Sequence, residues 1–250
     1  MRFAGTKSWR FGHDDLDVLR RALFVRDAAV LPVTASVDVP PRLSGDIPAD
    51  SSVLAEADRA AAAAQWLQWW RRMLDLAVRE VSVRKAEEPG DDITAEAPAP
   101  PRPVTNDGVL SAEEIARMAR LRARTIWRRD VCDPPDFEGI SAWPELRAAA
   151  AGTHSSYGAW SLAMSRQPAA DGRFFAWQLV NEAVHDAAAS LGVPVSEMDA
   201  EAHVMPVEGQ WSYIAGPGCA VCSDAVALDP VAASDLLRRL FMSAFQGIAG

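Results

Sequence analysis

Lysine is nearly missing from this chain, standing only at Lys7 and Lys85, so arginine carries almost all the positive charge. Together with heavy use of alanine, that bias reads as GC-rich codon usage and not as a functional choice. Cysteine is scarce as well: Cys132, Cys219 and Cys222 are too few, and odd in number, for the disulfide framework of a small secreted domain. A reducing compartment is expected. Long apolar runs are absent, since charge or proline breaks each one well short of a bilayer span, and the opening residues lack the apolar stretch of a signal peptide. No membrane association is expected, and the location is expected to be cytoplasmic. An excess of positive charge is lacking too, for the formal net charge is −9. That balance argues against a general nucleic-acid binder, because phosphate neutralisation needs a basic face. There is no Walker loop, no dinucleotide glycine fingerprint and no His-Glu-x-x-His.

What is present is ordinary globular composition. Apolar residues make up 49% of the 250 residues and charged residues 24%, enough for a core that needs neither metal nor disulfide to hold it. The clearest discontinuity runs over residues 86–108, where Glu87, Glu88, Asp91 and Asp92 lead into a run rich in proline and alanine around residue 100. Almost nothing there can offset the entropy of ordering, so a flexible acidic linker is predicted between an N-terminal segment, 1–85, and a C-terminal segment, 109–250. The first segment carries a net charge of +2, the linker −5 and the last −6.

Periodicity points to a mostly helical α+β fold with a short N-terminal strand and a small antiparallel sheet near residues 203–222. The alternation of Val33, Ala35, Val37 and Val39 with polar neighbours suggests that first strand, closed by Pro40 and Pro41. Over residues 52–83 the period lengthens: Ala62, Trp66, Trp69, Trp70, Met73, Leu74, Ala77 and Val81 form one wide apolar arc of a long helix. A capping box of Ser111 and Glu114 opens a helix at 112–130. A short helix is expected near 142–151, another at 173–191 stopped by Gly192, and a last one capped by Asp229 ahead of Pro230. Short strands at 203–207, 210–215 and 219–222 are separated by Glu208-Gly209 and Gly216-Pro217-Gly218.

Four features carry possible chemistry. Cys219 and Cys222 are spaced as a thiolate pair that could bind zinc with His203 or act as a redox pair, although small semi-buried apolar residues beside a tight turn explain them as well. Glu182 and His185, three apart on one helix, could share a metal ion, but the motif occurs once and a solvated helix face accounts for it. Arg117, Arg120, Arg124 and Arg128 line one stripe of the 112–130 helix, with Arg122 and Arg129 nearby, and could grip an acidic partner or phosphate, or simply be solvated. His154 sits in Thr-His-Ser-Ser-Tyr without a nucleophile elbow around Ser155 or Ser156. No complete catalytic set emerges, so the expected function is that of a non-catalytic accessory or assembly protein. It would bind a protein partner, or a second copy of itself, through helix faces and the arginine stripe. No cofactor is expected; the alternative is a metal-dependent enzyme, with zinc or iron held by His185 and Glu182 or by Cys219, Cys222 and His203. A third reading is a regulator touching nucleic acid through Arg117 to Arg129.

Overall fold

The computed structural model describes residues 2–4, 9–14, 16–87, 131–166 and 174–246. In chain order the described elements are β1 (Arg2–Ala4), β2 (Arg10–Asp14), α1 (Asp17–Ala28), α2 (Glu56–Glu87), α3 (Pro144–Arg166), α4 (Trp177–Leu191), β3 (Asp199–Met205), β4 (Ser212–Gly216), β5 (Cys219–Ser223), α5 (Asp224–Leu228) and α6 (Pro230–Gln246). Short 3-10 turns at Glu138–Ile140 and Val195–Glu197 lead into α3 and β3. Among the described residues no helix is long and apolar enough to cross a membrane. The predicted mostly helical α+β class stands. The linker lies almost wholly, and the 112–130 helix with its arginine stripe wholly, outside the described residues.

The strands form one sheet in the order β1-β2-β3-β5-β4. Only its edges are antiparallel: β1 with β2, and β4 with β5. The centre is parallel, β2 pairing with β3 and β3 with β5, so the strands near 203–222 belong to a mixed sheet and not to an antiparallel meander. The cause is the connection after β3, which carries the chain to the outer edge before β5 returns between β3 and β4. Ser223 holds that route, since its N–H donates to the Trp211 carbonyl at 2.9 Å and its Oγ accepts from the Trp211 N–H at 3.2 Å. Glycine is required at the β4–β5 turn: Gly218 has φ +69°, and a Cβ there would stand 2.9 Å from the Asp199 carbonyl oxygen.

Two apolar layers cover the sheet. On one side α1, α2 and α3 build a core from residues on both sides of 88–130, reaching Cys219 and Val221 of β5. On the other, α4 and α6 pack over Phe11, Ala200, Ala202, Val204, Ala220 and Cys222. The whole predicted arc of α2, from Ala62 to Val81, is buried in the first core. Its three indole N–H groups act as ties, Trp66 donating to the Ala22 carbonyl at 2.7 Å, Trp69 to Val131 at 2.6 Å and Trp70 to Asp38 at 2.7 Å. A buried tryptophan needs such a partner, and here each one fixes a different segment to α2.

The N-terminal strand exists, but it is β2, with β1 at its edge, and not the 33–39 stretch. There the Ser36 N–H turns back onto the Val39 carbonyl at 2.9 Å, the Trp211 indole takes the Ser36 carbonyl and Trp70 that of Asp38, and Arg26 takes those of Pro40 and Pro41 just beyond. Val37, 76% exposed, shows that the alternation marks no buried face. The helix expected at 142–151 extends to Arg166, because no proline interrupts it. Gly192 ends α4 in the left-handed conformation, and Asp229 Oδ1 accepts the N–H groups of Val231 and Ala232, both at 2.9 Å, to open α6.

Candidate functional site

A network of polar side chains lies where the first turns of α1 meet the middle of α3. Helical spacing puts Asp17, Arg20 and Arg21 on one strip of α1, and His154, Tyr157 and Ser161 on one strip of α3. Packing of the apolar faces brings the strips together: Phe24 of α1 lies edge-on to Tyr157 with ring centroids 5.3 Å apart and against Trp160 at 5.1 Å. The result is an open groove of about 450 Å³, walled also by Ser155, Gly158 and Leu162.

In and beside it Asp17, Arg20, Arg21, His154, Tyr157 and Ser161 hold one another. Tyr157 Oη donates to Asp17 Oδ1 at 2.6 Å and accepts from Arg20 Nε at 3.3 Å. Arg20 Nη2 donates to Asp17 Oδ1 and to Ser161 Oγ, both at 3.2 Å. Arg21 Nη2 reaches Asp17 Oδ2 at 3.4 Å, while its Nη1 donates to His154 Nδ1 at 3.2 Å. Guanidinium has no acceptor, so this contact is a hydrogen bond in the tautomer that leaves Nδ1 bare. The Arg21 guanidinium also lies 4.0 Å from the centre of the Tyr157 ring, within cation–π reach.

The electrostatics follow from this geometry. Burial works to raise the Asp17 carboxyl, but the hydrogen bond from Tyr157, with Arg21 and Arg20 beside it, outweighs that effect and holds the group below its ordinary value. Tyr157 moves the other way, to about 12, through burial and its bond to the Asp17 carboxylate. It is a donor at neutral pH and not a base. Cys132 is pushed up to about 12, chiefly by burial, which leaves a neutral thiol with little nucleophilic character. Two guanidinium groups share one carboxylate, which leaves the Asp17–Arg20–Arg21 cluster one positive charge in excess; of the two arginines Arg21 lines the groove, and both are partly solvent-accessible, at 17% and 13%. The arrangement can bind and orient an anionic group.

Of the residues singled out by sequence, His154 and its neighbour Ser155 fall in this groove. Cys219 and Cys222 are both fully buried but face opposite sides of the sheet, Cys219 in the α1–α2–α3 core and Cys222 in the α4–α6 core. Strand alternation imposes this, because residues three apart on a strand point to opposite faces. Burial, with Asp224 adding to it, raises the Cys222 thiol to about 12. His203 is buried on β3, opposite Val221 in the register and on the Cys219 face. Glu182 and His185 lie exposed on α4, in the layer across the sheet from His203. Among the described residues no three His, Cys, Asp or Glu side chains come together as metal ligands. Arg117, Arg120, Arg124 and Arg128 fall outside the described residues.

Sequence reasoning missed Asp17, Arg20, Arg21, Tyr157 and Ser161. The available signal was a pair of polar strips at helical spacing on two otherwise apolar helices, but nothing local says that the strips face each other. In comparisons with known proteins the chain matches no family model, no curated protein and no solved structure.

Proposed function

We propose that this is a non-catalytic accessory or assembly protein, and that the α1–α3 groove receives an acidic group of a protein partner. The observation that carries the reading is the sharing of Asp17 by Arg20 and Arg21, which leaves one guanidinium charge in excess, with Arg21 on the wall of the open groove. Guanidinium forks held in place, Arg21 by His154 and the Tyr157 ring and Arg20 by the Tyr157 and Ser161 hydroxyls, lose little freedom when a carboxylate docks, which favours binding. Tyr157 and, close by, Cys132 are held protonated, which at these two groups supports binding over chemistry.

Titration of the isotope-labelled protein with a glutamate-rich peptide, followed by NMR, tests the reading, with a lysine-rich peptide of equal length as control. The expected shifts cluster at Arg20, Arg21, His154 and Tyr157, fade with added salt and disappear in Arg21→Gln. An equal response to both peptides, or shifts unchanged in Arg21→Gln, overturns it. Metal analysis of protein purified without chelator separates this reading from a metal-dependent enzyme, since stoichiometric zinc or iron overturns it as well.

A further inference from the structure

A second cavity, of about 330 Å³, opens on the other flank of α3, lined by Ser44, Asp46, Trp160, Met164, Pro206 and Asp224 among others. Trp160 and Met164, one helical turn apart, give it an apolar wall. Trp160 is fixed by its contacts with the Phe24 and Tyr157 rings at 5.1 and 6.0 Å. The opposite wall is the loop at residues 43–46, tied to the end of β3 by the Leu43–Val207 bridge and by the Ser44 N–H donating to the Pro206 carbonyl at 2.8 Å. Asp224 follows directly on β5. The cavity therefore sits at the carboxyl ends of two adjacent parallel strands, β3 and β5, where crevices in open sheets commonly take ligands.

Its chemistry is opposite in sign to that of the Asp17–Arg20–Arg21 cluster. Two carboxylates line it, and among the described residues no Arg, Lys or His does. Elsewhere Asp17, Asp27, Asp38, Asp186 and Asp235 each meet an arginine, whereas neither Asp46 nor Asp224 joins an ion pair among the described residues. Asp224 Oδ1 accepts the Ala225 N–H at 2.8 Å, which fixes that carboxylate at the rim. An anion is repelled here, while a cation on an aliphatic stem finds carboxylates for its head and indole and thioether surface for its stem. The volume is at the small end of ligand sites and suits a ligand of side-chain size.

We infer that the cavity bounded by Trp160, Met164, Asp46 and Asp224 binds a primary alkylammonium group. Two sources share that chemistry, a lysine side chain of a partner and a free small amine. The cavity and the groove share no lining residue, and the ligands tested are opposite in charge, so the two readings fail separately.

The test is NMR titration of the whole chain with n-butylammonium, with n-butanol as the neutral isostere and Nα-acetyl-lysine methylamide as the side-chain mimic. Butylammonium is expected to saturate with a Kd on the order of 1 mM, ordinary for so few non-hydrogen atoms, shifting the Gly45 amide and the Trp160 indole N–H. Asp46→Asn combined with Asp224→Asn is expected to weaken binding by roughly tenfold or more, in the range of a lost ion contact at a partly buried site. Asp46 is exposed, so Asp46→Asn alone gives a folded variant in which partial weakening is read. Equal affinity for the lysine mimic assigns the site to a side chain, and binding of butylammonium alone assigns it to a free amine. No saturation, equal binding of butanol, or affinity unchanged in the double variant overturns the inference.

Discussion

Arg26 offers the sharpest test of how the loop at residues 38–43 is held. It lies in α1 at only 3% exposure, with Asp27 at 7% beside it. Its Nε and Nη2 donate to the two Asp27 carboxylate oxygens at 2.7 and 2.9 Å, and its Nη1 and Nη2 donate to the Pro40 and Pro41 carbonyls at 2.6 and 2.7 Å. Asp27 Oδ2 in turn accepts the Leu43 N–H at 2.7 Å. Arg26→Met keeps an apolar stem of similar length and removes every donor at once. The Asp27 carboxylate is then left with the Leu43 N–H, and two carbonyls lose their partners. Breaking a buried pair from one side costs about 3–5 kcal/mol, because the remaining charge stays desolvated. The carbonyl losses are not added in full, since the loop can shift toward water. For a chain of this size the same loss lowers Tm by roughly 6–20 °C. Urea unfolding followed by far-ultraviolet circular dichroism reads the difference, with the slope m unchanged. In the double variant with Asp27→Asn, which keeps an acceptor for Leu43 but no charge, about 1.5 kcal/mol or more should be recovered relative to additivity. A loss under about 1 kcal/mol in Arg26→Met, or strict additivity with Asp27→Asn, refutes the assignment of Arg26 as the clamp.

Other outcomes follow from the same structure. Trp70→Phe removes the donor to the Asp38 carbonyl and one side of the stacked Trp66–Trp70 pair, whose centroids are 5.6 Å apart; unfolding measurements should show a loss of about 1–3 kcal/mol. Because the Asp17 carboxyl is held below its ordinary value of 3.8, its contribution is complete above that pH and is lost as pH falls through the lowered folded value. Asp17→Asn should therefore flatten the acid limb of stability against pH, and an unchanged limb would contradict the Tyr157 and arginine contacts. Cys222, fully buried with its thiol pushed up to about 12, should resist iodoacetamide in the folded protein and react only at the rate of unfolding. Labelling of Cys222 as fast as in urea would mean that the α4–α6 core opens freely.

Residue order by itself determined the helices whose signals are local. The arc from Ala62 to Val81 has a period that only a helix can bury, Asp229 ahead of Pro230 starts α6, and Gly192 stops α4, each set by interactions within a few residues. The tertiary structure decided what depends on distant partners. Alternation at 33–39 is identical in a strand and in an extended loop, and here Trp70, Trp211 and the stretch's own Ser36 N–H take its carbonyls where a neighbouring strand would have. Adjacent strands in sequence suggested a meander, yet β3 and β5 lie side by side and parallel because the chain swings outward to β4 first. The spacing of Cys219 and Cys222 is the same whether a turn or a strand carries it, and strand geometry sends the two sulfurs to opposite layers. The groove was hidden for the same reason: Asp17 and Tyr157 are 140 residues apart in sequence, and only the packing of α1 on α3 closes that distance to a 2.6 Å hydrogen bond.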